Sequence, residues 1–381
     1  MKHPWSPQHF ARQAPEAGCK PEVIEAALEA ALTIKRANED LPVIFTLEHL
    51  GHLISVNSET LRSFVERRDD FYRVFRVKKR PRPGWGAAPR RASRTICVPS
   101  PALMHTQRWI AQNILNAVDP HPASFAFAPR RSLLNAASCH AGCSWLIKLD
   151  LRNFFESISE RRAYRVFRQL GYGGLISFEF ARICTRSPAA SAIASGALAP
   201  GPPYPARPQG FLPQGAPSSP MLANLAVRRL DDRLQALADG RRWVYTRYAD
   251  DLAFSTNRPS TRQQAAAIAR EVKREIQDFG LICNESKTTI IPPGARKIML
   301  GVLIDRFRPK LTRAFRNNIE THLYALSNPK IGVAAHLRSR GFSSVMGMRR
   351  HIAGLIAFAK QVDAVYAQKL YQKFAEINWE A

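Results

Sequence analysis

Acidic residues are scarce in this chain: 30 Asp and Glu stand against 56 Lys and Arg in 381 residues, for a formal net charge of +26. Such a surface attracts phosphate, with an affinity that falls steeply as salt rises. Apolar stretches long enough to span a bilayer are missing, as is a basic amphipathic helix that would lie on one. The partner that the charge implies is therefore nucleic acid, with no membrane role. Cysteines are few, at positions 19, 97, 139, 143, 184 and 283, and show no repeated short pairs. The opening Met1-Lys2-His3-Pro4-Trp5 lacks the apolar run of a secretory signal, so a reducing cytoplasm is the expected location. Cys139, His140 and Cys143 lack the fourth ligand that a structural zinc would need.

Against that deficit of acids, three aspartates stand in apolar surroundings. Trp145-Leu146-Ile147-Lys148-Leu149-Asp150 reads as a buried strand that ends on a carboxylate. Downstream, Tyr248-Ala249-Asp250-Asp251 interrupts an apolar run from Trp243 to Phe254. Residues in a strand alternate faces, so the adjacent Asp250 and Asp251 can serve one site only if a tight hairpin lies between Val244–Tyr248 and Leu252–Ser255. Burying such groups without partners costs several kcal/mol, of order 2–7 even for a neutral polar group, and a cation offsets that cost. Carboxylates suit Mg²⁺ or Mn²⁺. Two such ions about 3.5–4 Å apart can activate a hydroxyl and stabilise the leaving oxygen of an in-line phosphoryl displacement. That is polymerase or nuclease chemistry. Asp150 and Asp250, with the Leu151 carbonyl, are expected to hold the two metals, and Asp251 to complete or orient the site.

Further motifs surround these. Arg152, Phe154 and Phe155 follow Asp150, and Leu212-Pro213-Gln214-Gly215-Ala216-Pro217-Ser218-Ser219-Pro220 opens an apolar, helix-like run through Leu230. Together they resemble a bacterial reverse transcriptase of the retron type, within the wider group that includes group II intron and phage-defence enzymes. Asp150 with Phe154 and Phe155 resembles the first palm motif, Leu212–Pro220 the template and nucleotide motif, and Tyr248–Asp251 the catalytic hairpin. Arg94–Pro99 with Gln107, Trp109 and Ile110 resembles the fingers motif, and Asn284–Thr288 the later palm motif with its lysine. The likeness runs from Leu47 to the C-terminus. Two retron marks are partly kept: Ala136-Ala137-Ser138-Cys139-His140 retains the histidine of Asn-Ala-x-x-His, and Met299-Leu300-Gly301 retains the glycine of Val-Thr-Gly.

The rest of the chain fits a right-hand polymerase of mixed α/β (α+β) class. A helix is expected over Pro21–Asn38 in an N-terminal extension, 1–45. Short helices at Leu47–Val56 and Ser58–Arg67, then antiparallel strands at Phe71–Val77 and Arg94–Val98, would build fingers over 46–142, with a cation-rich fingertip from Lys78 to Arg91. The palm, 143–298, would be an antiparallel sheet packed on helices, among them Thr261–Phe279 ending at Gly280, with a Pro/Ala-rich loop at 187–209. A thumb, 299–381, is expected to be helical over Arg313–Leu326, Ile331–Arg340 and Val345–Phe374.

A guanidinium binds phosphate in bidentate fashion, and the resemblance places an arginine at Arg94, so Arg94 is the expected triphosphate ligand, with Lys79 beside it. The resemblance further implies that Phe155 excludes a 2′-hydroxyl, that Gln214 steadies nucleotide and template base, and that Lys287 neutralises or protonates departing pyrophosphate. Arg338, Arg340, Arg349 and Arg350 are expected to grip the RNA backbone. The function so implied is an Mg²⁺-dependent RNA-directed DNA polymerase that uses dNTPs to copy a structured non-coding RNA, both template and primer, into branched single-stranded DNA in phage defence with an accessory effector protein. Another defence or group II intron-like reverse transcriptase, or an idle RNA-binding scaffold, are the alternatives that the residues leave open.

Overall fold

The computed structural model of the chain describes residues 6–78, 93–187 and 210–379. Lys79 with its fingertip, and the Pro/Ala-rich loop from 188 to 209, lie outside the described residues. Two proline-started helices open the chain, α1 (Pro7–Glu16) and α2 (Pro21–Ala37), each using proline in the first turn, where no N–H is needed. Next come α3 (Leu47–Ile54) and α4 (Ser58–Glu66), whose first turns are capped by the Thr46 and Asn57 side chains. Strands β1 (Tyr72–Lys78) and β2 (Ser93–Pro99) then pair antiparallel, as expected, and lead to α5 (Pro101–Asn113) and the short α6 (Leu133–Ser138).

The central part comprises β3 (Trp145–Asp150), α7 (Glu160–Gln169), α8 (Gly174–Cys184), α9 (Ser219–Ala226), α10 (Arg228–Arg241), β4 (Val244–Tyr248), β5 (Asp251–Thr256), α11 (Arg262–Asp278) and β6 (Thr289–Ile291). Its four strands form one antiparallel sheet in the order β4-β5-β3-β6. A small three-stranded sheet follows, of β7 (Ile298–Met299), β8 (Val302–Leu303) and β9 (Lys310–Leu311). The chain ends in α12 (Arg313–Ser327), α13 (Gly332–Arg340), α14 (Val345–Val362) and α15 (Ala364–Ala375).

Two expected helices are broken. The run after Pro220 stops at Val227, which leaves the helical region (φ −104°, ψ 8°) and separates α9 from α10. The final helix is interrupted at Asp363, whose carboxylate accepts the Tyr366 N–H (3.0 Å) and so caps α15. Both breaks occur at single residues with no Gly or Pro to mark them.

The main apolar core joins α2–α5 and α7–α11 to one face of the central sheet, so α2 belongs to it through Ala31 and Ile34. Contact there is close enough to require glycine: at Gly171 (φ +87°) a Cβ would lie 2.7 Å from the Thr33 carbonyl oxygen. A second cluster, from Leu311 to Ile377, is confined to the C-terminal helices and β9. A third, with Ala136, Leu146, Ala253, Met299 and Val302, seats the small sheet on the other face of the central one. Among the described residues, no helix is long and apolar enough to cross a membrane.

Candidate active site

Strand parity sorts the central sheet into two faces. Asp150 lies opposite Asp251, Lys148 opposite Ala253 and Leu146 opposite Ser255, so these residues share the front face, together with Thr246 and Tyr248 of β4. Ile147, Leu149, Leu252, Phe254, Tyr245 and Arg247 point the other way, into the main core.

The hairpin demanded by the sequence is present. Tyr248 pairs with Asp251, which leaves Ala249 and Asp250 as a two-residue turn. Only the first of these has a left-handed φ, 56° at Ala249, the pattern of a II′ turn. Glycine is the usual occupant, and a side chain in this region costs about 1–3 kcal/mol, a strain that proteins tolerate chiefly at functional positions. The turn's backbone is tied to the neighbouring strand by the Leu151 N–H, which donates to the Asp250 carbonyl at 2.9 Å. Asp250 and Asp251 are half-buried, whereas Asp150 is only 2% exposed.

Asp150 is held by one short segment. The Asn284 N–H donates to its backbone carbonyl at 2.7 Å, and the Asn284 amide donates to Oδ1 at 3.1 Å. Lys287 Nζ meets Oδ2 at 2.6 Å, with its side chain 35% exposed and the partner carboxylate sealed beneath it. A 3₁₀ turn over Glu285–Lys287 sets that spacing. Lys148, buried on the same face, donates to the Ile298 carbonyl of β7 at 3.0 Å. Burial pushes its ammonium down from the ordinary lysine value, and the charge of Asp251 pulls it partly back.

All of this opens into a cavity of about 1180 Å³. Of the residues expected from sequence, Asp150, Leu151, Asp250, Asp251, Arg94, Phe155, Gln214 and Lys287 line it. The structure brings them together from five separate stretches of chain. Gln214 is carried to the wall by backbone: its carbonyl accepts the Cys97 N–H at 2.8 Å, an approach that leaves Gly215 (φ +116°) no room for a Cβ. Phe155 stands 5.6 Å from Phe154 and 6.2 Å from Phe127, centroid to centroid. Arg338, Arg340, Arg349 and Arg350 are exposed on α13 and α14 and do not line the cavity.

The oxygen-rich donor set is of the kind that holds Mg²⁺ or Mn²⁺. Yet among the described residues no three His, Cys, Asp or Glu side chains converge into a cation cage, and the Asp150 carboxylate is engaged by Lys287 and Asn284. The Lys287 ammonium thus stands where a metal would compete for the same oxygens.

Sequence reading missed several participants. Phe127, with a left-handed φ of 59°, and Arg152 both line the cavity. Asn284 was legible as part of a motif but not as the clamp on Asp150. His140 is 1% exposed on the front face and does not face the cavity; its Nδ1 meets Ser255 Oγ at 2.6 Å and its Nε2 meets Thr246 Oγ1 at 2.7 Å. Both nitrogens are thereby used, zinc has no place there, and burial pushes the imidazole down to about 3. Asn135, one residue before the aligned alanine, closes a capping box with Ser132 at the start of α6.

A family model described as reverse transcriptase (RNA-dependent DNA polymerase) matches residues 77–304. The retron Ec86 reverse transcriptase of Escherichia coli is 29% identical over 351 residues, covering 90% of this chain and 95% of that protein. The retron Mx162 reverse transcriptase of Myxococcus xanthus is 32% identical over 221 residues, 56% of this chain and 45% of that one. Among solved structures, a foamy viral protease-reverse transcriptase in complex with double-stranded DNA is similar at 16% identity and a TM-score of 0.37, over 75% of this chain and 37% of its own. The aspartate hairpin, its opposed strand and the walls around them thus lie within the matched stretch, and the chain belongs to the reverse transcriptase (RNA-dependent DNA polymerase) family, with bacterial retron enzymes as its similar relatives over most of its length.

Proposed function

We propose that the chain copies a structured RNA into single-stranded DNA at the Asp150–Asp250–Asp251 site, with two Mg²⁺ ions as cofactor and the RNA serving as both template and primer. One observation carries this reading: Asp150 lies directly opposite Asp251 in strand register, with Asp250 in the turn that joins β4 to β5, and all three line a cavity walled by Arg94, Phe155 and Gln214. Asp150, Asp250, Asp251 and the Leu151 carbonyl would hold the ions, which supply charge stabilisation for the attacking and leaving oxygens. Arg94 binds the triphosphate through its fork of donors. Phe155 closes the space beside the sugar and selects deoxynucleotides, while Gln214 orients the base. Lys287, at the cavity lining beside Asp150, would hold a proton for the departing pyrophosphate.

On this reading residues 46–142 act as fingers, 143–298 as palm and 299–381 as thumb, with 1–45 as an N-terminal extension whose α2 packs into the main core. The exposed Arg338, Arg340, Arg349 and Arg350 grip the template–primer backbone, and each phosphate contact removed lowers the salt dependence of binding by a slope of about 1. The proposal extends to a branched RNA–DNA product and a role in antiphage defence with an accessory effector, as the resemblance of the motifs to retron enzymes implies. Nucleic acid recovered with the purified protein tests this. Sequencing should return one structured RNA joined to DNA through a 2′–5′ branch; an unbranched product would place the enzyme with other defence or intron-type reverse transcriptases.

A further inference from the structure

Arg247 is the largest fully buried side chain among the described residues, at 0% exposure, and it does not line the cavity. It lies on the back face, one residue before the catalytic hairpin. All five of its N–H groups are used. Nε and Nη2 grip the two oxygens of Asp231 on α10 at 2.8 and 2.7 Å. Nη1 donates to Asn224 Oδ1 of α9 at 2.9 Å and to the Ala249 carbonyl at 3.3 Å, and Nη2 donates to Ser124 Oγ at 3.1 Å.

One arm ends on the cavity lining itself, at Ala249, and two more end on segments that adjoin its walls. The Ala249 carbonyl belongs to the peptide that leads into Asp250, so its bond fixes the plane from which that carboxylate is launched. Asn224 sits on the helix that follows the Gln214 segment, and its amide also donates to the Ala126 carbonyl at 2.7 Å, next to Phe127. Ser124 belongs to that same strip, which is further zipped to Arg247 by two backbone bonds, Arg247 N–H to Ala123 O (2.7 Å) and Phe125 N–H to Arg247 O (2.9 Å). Apolar residues of similar volume commonly replace a buried ion pair with no loss of stability, so a sealed arginine at this junction is poorly explained by stability alone.

We infer that Arg247, paired with Asp231, is a positioning residue that holds the catalytic hairpin in register with the nucleotide-binding walls. The inference rests on the polymerase reading of the site. Lysine keeps the charge but lacks the planar fork and cannot make these bonds together. Arg247→Lys should therefore fold, keep its KM for dNTP within a few-fold and lose kcat by on the order of 10²-fold, the cost of a displacement of about 1 Å. Its affinity for Mn²⁺, read by electron paramagnetic resonance, should weaken in parallel. Tyr172→Phe, which removes one buried hydrogen bond to Pro42 elsewhere in the same core, should lower the melting temperature and leave kcat alone. Ser124→Ala, which cuts one arm together with the bond from Ser124 Oγ to Asn224 Oδ1 (3.0 Å), should cost several-fold in kcat with a fall in melting temperature comparable to that of Tyr172→Phe, and it decides the matter if Arg247→Lys does not fold. Parental kcat in a folded Arg247→Lys, or in Ser124→Ala when the lysine variant is unfolded, overturns the inference. If the parent binds Mn²⁺ no better than Asp250→Asn, the metal reading falls instead, and kcat still judges the clasp.

Discussion

On the front of the central sheet, Asp150 meets Lys287, whose side chain is 35% exposed; on the back, Arg247 meets Asp231 with both side chains at 0%. The two ion pairs lie on opposite faces of one sheet, on β3 and β4 with β5 between them, and they differ in what can reach them. Solvent and solutes approach the first through the cavity, so a cation can exchange with the lysine. The second is locked, because removing either partner strands a charge in a medium that cannot solvate it. On the proposed reading, exposure to the cavity, more than the presence of charge, separates the face assigned the chemistry from the face assigned to hold it in place.

The comparison breaks most sharply by removing one acid from each face. Asp150→Asn should abolish RNA-templated DNA synthesis, by at least about 10³-fold, because a preorganised charge at the reacting centre is lost. Its fold should survive, since the freed ammonium of Lys287 can turn to water. Asp231→Asn should instead cost about 3–5 kcal/mol of stability by leaving Arg247 uncompensated. Nucleotide incorporation and urea unfolding, run on both variants, check the pair. Should Asp150→Asn keep activity, the front face is not the reacting one. A smaller effect is expected for Lys287→Gln: a fall in kcat of about 10²-fold, the lower end of what removal of a general acid costs.

The front face was largely legible in the sequence, and the back was not. Asp150, Asp250 and Asp251 announce themselves because three carboxylates in apolar runs contradict the local pattern, and β3 spans Trp145–Asp150 as the pattern requires. Arg247 contradicts its run as well, but its partner lies 16 residues earlier on a helix, and nothing local marks Asp231 as buried. The same holds for Asn284, whose clamp on Asp150 spans 134 residues. The helices α7 and α8 escaped notice because the reading followed motifs, and α7 is dense in arginine, which suggests a solvated stretch. Long-range pairing through a fold is what a one-dimensional pattern lacks.

His140 sharpens the contrast from the far end of the front face, away from the lining of the active-site cavity. Its imidazole is pushed down to about 3 by burial, against an ordinary value of 6.5. The unfolded chain therefore takes up a proton between pH 6.5 and about 3 that the folded protein excludes. Stability from this group is fully present above pH 6.5 and is lost as pH falls through that window, by about 2 kcal/mol between pH 6.5 and pH 5. Urea titrations at the two pH values should show that loss in the parent and a flatter response in His140→Gln, with the difference between them isolating this histidine from the others. An equal pH response in both would mean that His140 is not shielded as the geometry requires.

The smallest effect belongs to the plain packing of the back face. Ile147 is 0% exposed, lies opposite Phe254 and shares its face with Arg247. Ile147→Val removes one methylene from a close-packed site and should cost about 0.5–1.5 kcal/mol. Unlike Arg247, Ile147 sends no hydrogen bond to the hairpin or the walls, so kcat should stay at the parental value while the unfolding midpoint drops. If kcat instead falls with stability, any loosening of the back face disturbs the aspartates, and the clasp is one contributor among many. If stability alone moves, apolar packing and the polar clasp on one sheet face have separate duties: the first sets how firmly the palm is folded, and the second sets where its catalytic turn stands.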